Sequence, residues 1–587
     1  MSLLLEGVGA SPGRALGPVR YITWEVPSIS HKTIDASEVN REIERFQRAR
    51  AKALARLEEL QRETTELLGG FEGRIFESQA WMIEDPDLLA GTEAYIRQNL
   101  LSAERAFEIQ LLEQRVQMME SVHVMVMDRL ADLRDVRGNV LSCLLGHPAP
   151  GLEMSEEEEP SIVVAHDIAP SMAVRMRPGH VLALITSAGT RGSHSVLIAR
   201  SLGIPAVVGL GPQLAQIHDG CELLVDGKSG RLIVDPTPAE IESHRRSLAH
   251  LQERRKILAE LAAKPTETVD GVQTVVQANL DQPIEIEEAI RLGAEGVGLL
   301  RTEFLVIGHR DIPSEEEQFE AYCSVVEAFP GREVTIRTFD IGGDKYPQFM
   351  SMQQEENPYL GWRAIRVCLD EPELFRNQLR AVVRAAERGN VRLLVPLVIS
   401  VDELARTREQ LDAVYRELGS GVGSHGLPVG LMVETPAAVE TLDLLAPYVD
   451  FVSLGTNDLT QYVLAADRGN PNVAELYDPL HPALVRMYGR VVEACESHHL
   501  DLSVCGELSA DPTGVAVLLG LGYRKFSVSL SSLAEIRELI RHLSVADLEE
   551  LCARNTRCQS GDDVRRIVQD YFDRTGALNV GETVPDR

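Results

Sequence analysis

Eight short apolar runs punctuate residues 275–530, and a stretch with helical periodicity follows each of them except the last. They are VVQANLD (275–281), GVGLLRTEF (296–304), VTIRTFDIGG (334–343), RLLVPLV (392–398), VGLMVETP (429–436), FVSLGTND (451–458), LSVCGEL (502–508) and KFSVSL (525–530). Parallel strands need long crossovers, which helices supply, and eight such units close on themselves. Residues 266–575 are therefore expected to form a (β/α)8 barrel.

Barrel enzymes carry their chemistry at the C-terminal ends of the strands. Here those ends hold Asn279, Arg301, Arg337, Asp340, Glu434, Asn457, Asp458, Cys505 and Glu507. In a purely structural role Arg301 and Arg337 would pair with a neighbouring acid such as Glu303 or Asp340. Two arginines at adjacent strand ends fit a multiply charged anion better, because guanidinium presents forked donors that match phosphate or carboxylate oxygens. Glu434 and Asp458 end the fifth and sixth runs. Ion-paired structural acids are one reading of them, and an acid/base pair or hard oxygen ligands are others. Beside an anionic phosphate they favour Mg²⁺, which binds through one or two carboxylates plus substrate oxygens. Cys505 sits in VCGEL. A single cysteine is usually an inert core residue, but at a strand end beside Gly506 it would face the pocket and deliver a proton.

Upstream, SIVVAHD, HVLALIT, IPAVVGL, ELLVDG and RLIVDP alternate with helical segments, which predicts a small α/β domain over 146–235 that also takes in 1–21. Within 22–145, Val39, Ile43, Phe46, Ala53, Leu57 and Leu60 recur at three- and four-residue steps, so that span reads as a helical bundle inserted into the domain. Thr237-Pro238-Ala239-Glu240 is a capping box with proline at the first helical position, and it opens a charged linker helix over 236–265. In TSAGTRGSHSVLIARSLGIPAVVG (186–209) a glycine-containing loop enters a helix that starts near His194 and ends at Gly203. Free N–H groups and the helix dipole favour an anion there. A lone histidine is more often a satisfied surface or core residue. At this place its neutral imidazole is also a candidate nucleophile for a phosphoryl group.

Acidic residues number 89 against 58 basic ones, a formal net charge of −31. Such a chain repels phosphodiester backbones and anionic lipid, so neither nucleic acid nor a membrane surface is expected as a partner, and a basic docking face is. No apolar run reaches the roughly 20 residues of a membrane span. The N-terminus lacks a basic region followed by an apolar stretch, so no signal peptide is expected. Eight cysteines are scattered without CxxC spacing, which argues against zinc and disulfides and for a cytoplasmic location.

SHSVLIARSLGIPAVVG, GVGLLRTEFL, IRTFDIGGDK, NPYLGWRAIR, MVETPAAVE, SLGTNDLTQYVLAADRGN and CGELSADP, in this order, resemble the enzyme I family of the bacterial phosphoenolpyruvate-dependent phosphotransferase system. The resemblance runs from GVGASPGRALGP through the barrel. It implies a multidomain α/β fold: a swivelling phosphohistidine domain with its inserted bundle, a linker helix and the barrel. His194 would be phosphorylated on Nε2 by phosphoenolpyruvate. Arg301, Arg337 and Arg468 would clamp the substrate's phosphate and carboxylate, with Asn457 and the Asp458 backbone adding hydrogen bonds. Glu434 and Asp458 would hold Mg²⁺, and Cys505 would protonate the departing enolate to give pyruvate. Phospho-His194 would pass its group to a histidine of the phosphocarrier protein HPr, docked on the helical insertion, and the barrels would form a homodimer.

Pyruvate phosphate dikinase and phosphoenolpyruvate synthase share the histidine domain and barrel but need a large N-terminal nucleotide module. The nitrogen-regulatory branch of the family typically adds a sensory domain, and a catalytically silent scaffold is the remaining alternative. Two departures stand out. The family usually reads GGRTSH where this chain has Gly189-Thr190-Arg191-Gly192-Ser193-His194, and a threonine is usual where Ala169 stands in HDIAPS. Both threonines would orient the imidazole, so slower phosphorylation of His194 is expected here.

Overall fold

The computed structural model describes residues 2–22, 29, 33–68, 70–120, 126–146, 159–189, 193–246, 264–306, 312–342, 355–419, 426–468, 470, 473–555 and 558–577. The chain divides into two compact units, Met1–Leu251 and Gln252–Arg587.

The first unit is built on an eight-stranded sheet. Its strands are β1 (Leu3–Glu6), β2 (Val8–Ser11), β3 (Arg14–Ile22), β4 (Ser161–Ala165), β5 (Val181–Thr186), β6 (Ala206–Val208), β7 (Glu222–Asp226) and β8 (Arg231–Val234), in the order β1-β8-β7-β3-β4-β5-β6-β2. The β3–β4–β5–β6 ladder is parallel and the other pairings are antiparallel. Every residue of β4 is buried. Because side chains alternate along a strand, Ile162 and Val164 join one apolar core and Val163 and Ala165 join another.

That second core is shared with five helices that enter the chain between β3 and β4: α1 (Val39–Leu68), α2 (Gly70–Glu84), α3 (Pro86–Asn99), α4 (Ala103–Glu120) and α5 (Val126–Leu145). Of the stripe read from the sequence, Ile43, Phe46, Ala53, Leu57 and Leu60 are buried and Val39 is half-buried against them. Asp85 accepts hydrogen bonds from the N–H groups of Asp87 and Leu88 and, with Pro86 at the first helical position, fixes where α3 starts. Two short helices follow on the sheet, α6 (Pro170–Ala173) and α7 (His194–Ser201). Residues 238–246 form α8, opened by reciprocal hydrogen bonds in which Thr237 N donates to Glu240 at 2.7 Å and Glu240 N donates to Thr237 Oγ1 at 3.4 Å. The continuation of the expected linker helix, 247–263, lies outside the described residues.

The second unit is a closed, all-parallel barrel of β9 (Val275–Leu280), β10 (Val297–Leu300), β11 (Glu333–Arg337), β12 (Asn390–Val395), β13 (Val429–Val433), β14 (Phe451–Leu454), β15 (Asp501–Val504) and β16 (Lys525–Ser529). Each of the eight apolar runs overlaps one strand, and β11, β12 and β15 begin one or two residues before their runs. The eighth strand is also followed by a helix, Leu530–Ile540, which the sequence reading did not separate from it. Ser529 both ends the strand and caps the helix, so no polar loop marks the boundary.

Leu299, Leu394, Met432, Phe451 and Cys505 form a separate apolar cluster of their own. At the N-terminal strand ends, Asp501 is bridged at 2.8 Å by both Arg392 and Lys525, and Lys525 also reaches Glu333 at 3.1 Å. The C-terminal ends are left to carry other chemistry. Among the described residues no helix is long and apolar enough to cross a membrane.

Candidate active site

The C-terminal strand ends gather a buried charge network. Arg337, the last residue of β11, is 5% exposed. Its Nη2 donates to Glu303 Oε1 at 2.9 Å, and its Nη1 lies 3.3 Å from Asp340 Oδ2. Glu303 also accepts the Asp340 N–H at 3.0 Å. Asp340 takes the fork of Arg363, Nε at 2.8 Å and Nη2 at 2.9 Å, and the same guanidinium faces Asp458 at 3.3 to 3.4 Å. Burial disfavours the charge on Arg337, but Glu303, Asp340 and Glu434 outweigh it and raise its pKa. Its Nε is buried and has no partner among the described residues, which leaves it an open donor.

Glu434, directly after β13, is 2% exposed and accepts the Leu397 N–H at 2.7 Å. Leu397 holds φ at +57°, a strained conformation outside glycine that aims this N–H at the carboxylate. Burial pushes Glu434 up to about 8, and the like charges of Asp458 and Asp340 add to the effect. Glu303, Asp340, Glu434 and Asp458 are all buried, against the two buried guanidiniums of Arg337 and Arg363.

The remaining predicted residues surround this network with differing degrees of cover. Arg301 is partly exposed and pairs with Asp281 at 2.8 Å rather than with Glu303. The Asn457 carboxamide is hydrogen bonded to Glu507. Partial desolvation opposes the charge on Arg468, and Asp458, then Tyr477 and Glu507, more than restore it. Asn279 is held by Ser527 and by the Cys505 carbonyl.

Cys505 is 4% exposed, and its Sγ contacts the Leu454 carbonyl at 3.6 Å. Burial pushes the thiol up to about 11, so it carries its proton at neutral pH. The neighbouring glycine has a geometric reason: a Cβ on Gly506 would lie 1.8 Å from Thr456 Oγ1 and 2.7 Å from Thr456 N. Only a bare backbone lets the end of β15 lie against the start of the helix Thr456–Leu464 that carries Asn457 and Asp458.

The sequence reading assigned no role to Arg363. It lies in the loop after β11, where no strand periodicity marks it, and Ala364 at φ +54° sets the turn that follows it. The one local signal is its place in NPYLGWRAIR, a segment already singled out.

His194 is the first residue of α7, with Ser193 at the N-cap. The helix ends at Ser201, capped by Leu202, one turn element short of the expected Gly203. The His194 ring lies outside the described side chains, as does Gly192. Ala169 is the N-cap of α6 and offers no side-chain hydrogen bond.

Comparisons with known proteins match this arrangement along nearly the whole chain. Family models described as the N-terminal, mobile and PEP-binding domains of PEP-utilising enzymes match residues 6–129, 157–230 and 255–545. The phosphoenolpyruvate-protein phosphotransferase of Staphylococcus carnosus is 35% identical over 575 residues, 97% of this chain and 99% of that one. Those of Listeria monocytogenes and Haemophilus influenzae are 36% and 35% identical, each over 97% of this chain and at least 99% of their own length. The chain belongs to the phosphoenolpyruvate–protein phosphotransferase family.

As a phosphotransferase of this family it is an enzyme of phosphoenolpyruvate-dependent phosphoryl transfer. Among its described residues no cluster of three or more His, Cys, Asp or Glu side chains is arranged to cage a metal. Glu434 leaves one carboxylate oxygen without a donor among the described residues, and buried carboxylates outnumber buried guanidiniums. Glu434 and Asp458, buried carboxylates whose mutual repulsion a hard cation would relieve, are the residues that would hold such an ion.

Proposed function

We propose that this phosphotransferase moves the phosphoryl group of phosphoenolpyruvate onto Nε2 of His194, releasing pyruvate, and then onto a histidine of the phosphocarrier protein HPr. The observation that carries the reading is the buried Nε of Arg337, unpartnered among the described residues, at the same strand ends as Glu434, Asp458 and the protonated Cys505 thiol. That combination offers an anion site, a cation site and a proton donor at one end of one barrel.

Arg301, Arg337 and Arg468 bind the phosphate and carboxylate, and Asn457 and the Asp458 backbone orient them. Phosphoryl transfer needs alignment and charge neutralisation more than covalent help. A Mg²⁺ held by Glu434 and Asp458 would supply part of that neutralisation. The P–O bond to the enol oxygen breaks as the His194 N–P bond forms, and the enolate carbon takes the Cys505 proton to become the pyruvate methyl group. His194 belongs to the first compact unit and the pocket to the second, so transfer requires one to visit the other. The homodimer, the cytoplasmic setting and carrier docking on α1–α5 belong to the same reading.

Incubation with phosphate-labelled phosphoenolpyruvate and Mg²⁺, without nucleotide, tests it. Acid-labile label on the wild type and none on His194→Ala, with pyruvate formed in step and label passed to HPr, is the expected result. Binding of phosphoenolpyruvate without label would leave a scaffold in place of an enzyme mechanism through His194.

A further inference from the structure

We propose that Glu507 is a positioning residue: it decides which end of the Asn457 carboxamide is presented to the substrate anion. The inference rests on the reading of Asn457 as a substrate contact and adds what orients it. Asn457 is the second residue of the helix Thr456–Leu464, and Glu507 begins the turn Glu507–Ala510 after β15. Two bonds join them. The Glu507 backbone N–H donates to Asn457 Oδ1 at 2.9 Å, and Asn457 Nδ2 donates to Glu507 Oε1 at 3.3 Å.

A carboxamide is nearly symmetric in shape, so packing alone cannot tell its oxygen from its nitrogen. Glu507 can. Its backbone N–H only donates and its ionised carboxylate only accepts. Turning the amide over would set oxygen against carboxylate and NH₂ against N–H, so both bonds exist in one orientation alone. In that orientation one Nδ2 hydrogen is left without an acceptor among the described residues. A phosphate or carboxylate oxygen, which accepts only, can take it. In the reversed orientation the amide would offer that anion a lone pair. The main chain is held as well, because Tyr477 donates its hydroxyl to the Asn457 carbonyl at 3.0 Å. The pair thus joins the loops after β14 and β15 at the residue that meets the ligand.

Glu507 is exposed and packs into no core, so a structural role and a positioning role part company in experiment. Its carboxylate also bears on Arg468, which sets a second alternative. The test is the phosphoenolpyruvate concentration giving half-maximal single-turnover labelling of the full-length protein, read beside thermal stability. Glu507→Ala is expected to raise that concentration about 3- to 10-fold, the range for losing one hydrogen bond, with stability unchanged. Glu507→Gln, whose Oε1 still accepts, is expected to stay near wild type. In an Asn457→Ala background, Glu507→Ala is expected to add nothing. A Gln variant as weak as the Ala variant would assign the effect to charge on Arg468 and overturn the proposal. So would additive losses, or a fall in stability that tracks the fall in affinity. An Asn457→Ala protein that binds as wild type would instead remove Asn457 from the substrate site and end the reading beneath it.

Discussion

The carboxylate of Asp135 on α5 caps the helix that begins at Pro170: Ser171 donates to it from its hydroxyl at 2.7 Å and from its backbone N–H at 3.2 Å. Gln79 and Asn139 donate to the same group, at 3.1 and 3.2 Å. The helical insertion therefore supplies the cap that Ala169, at the N-cap itself, lacks. Replacing Ala169 by threonine is expected to stabilise the protein by less than about 0.5 kcal/mol, against roughly 1 kcal/mol for an open N-cap. Denaturant unfolding of both proteins checks this, and a full-sized gain would show that Asp135 does not satisfy the helix end.

The same carboxyl should give the first unit a pH-dependent stability. Burial pushes Asp135 up to about 6, over the opposing hydrogen bonds from Ser171 and Gln79. A carboxyl raised above its ordinary 3.8 contributes stability that is complete below that pH and is lost as pH rises through about 6. Relative to Asp135→Asn, which does not titrate, the wild type should lose roughly 2–3 kcal/mol between about pH 4 and pH 7. A stability difference that stays flat across this range would refute the assignment.

Gly506→Ala is expected to destabilise the barrel by about 1–3 kcal/mol, because the new methyl meets Thr456 Oγ1 and the Thr456 backbone. Removing the γ-hydroxyl and γ-methyl with Thr456→Ala should restore only part of the loss, since Thr456 N remains 2.7 Å away. Thermal unfolding of the two single variants and the double variant measures both effects. Full restoration would place the clash in the side chain alone.

Cys505→Ala should separate the two halves of the reaction. Labelling of His194 is expected to persist while pyruvate formation lags behind it, because the proton donor is gone. In the wild type, a thiol held at about 11 should resist alkylation at neutral pH and react faster as pH rises. Pyruvate formation that keeps pace with labelling in the variant would exclude Cys505 as the acid.

Glu434→Gln should leave the metal-free protein as stable as the wild type below about pH 4.5 and progressively more stable as pH rises toward 8, while abolishing Mg²⁺-dependent labelling. Glu434 is raised from 4.5 to about 8, so the wild type loses stability as pH rises between those values and the amide does not. The Leu397 N–H keeps its acceptor in either case. Thermal unfolding across pH without metal, beside labelling with Mg²⁺, checks both halves. Lower stability of the variant above pH 8 would mean that the carboxylates are not crowded.

Much of the barrel and its site is legible along the chain because the signals are local. Strand periodicity placed Arg337, Glu434, Asp458 and Cys505 at strand ends, and the direction of a parallel barrel brings those ends to one face. The helix that follows β16 escaped because Ser529 serves both elements and no turn residue separates them. Resemblance, not periodicity, singled out Arg468; the helix start already offered His194 as a candidate nucleophile, and the resemblance chose that role among its alternatives.

What the sequence by itself determined is which residues stand at strand ends and helix starts, since hydrophobic period and capping chemistry act over a few neighbouring residues. Only the tertiary structure decided the pairings. Arg337 takes Glu303 and Asp340, Arg301 takes Asp281, Arg363 enters from a loop to join Asp340 to Asp458, and Asp135 reaches Ser171 from 36 residues away. Every carboxylate in this acidic chain is a possible partner for every arginine until the chain folds. Closing the barrel chooses among them, because a buried charge is tolerated only where folding delivers its counter-charge within hydrogen-bond reach.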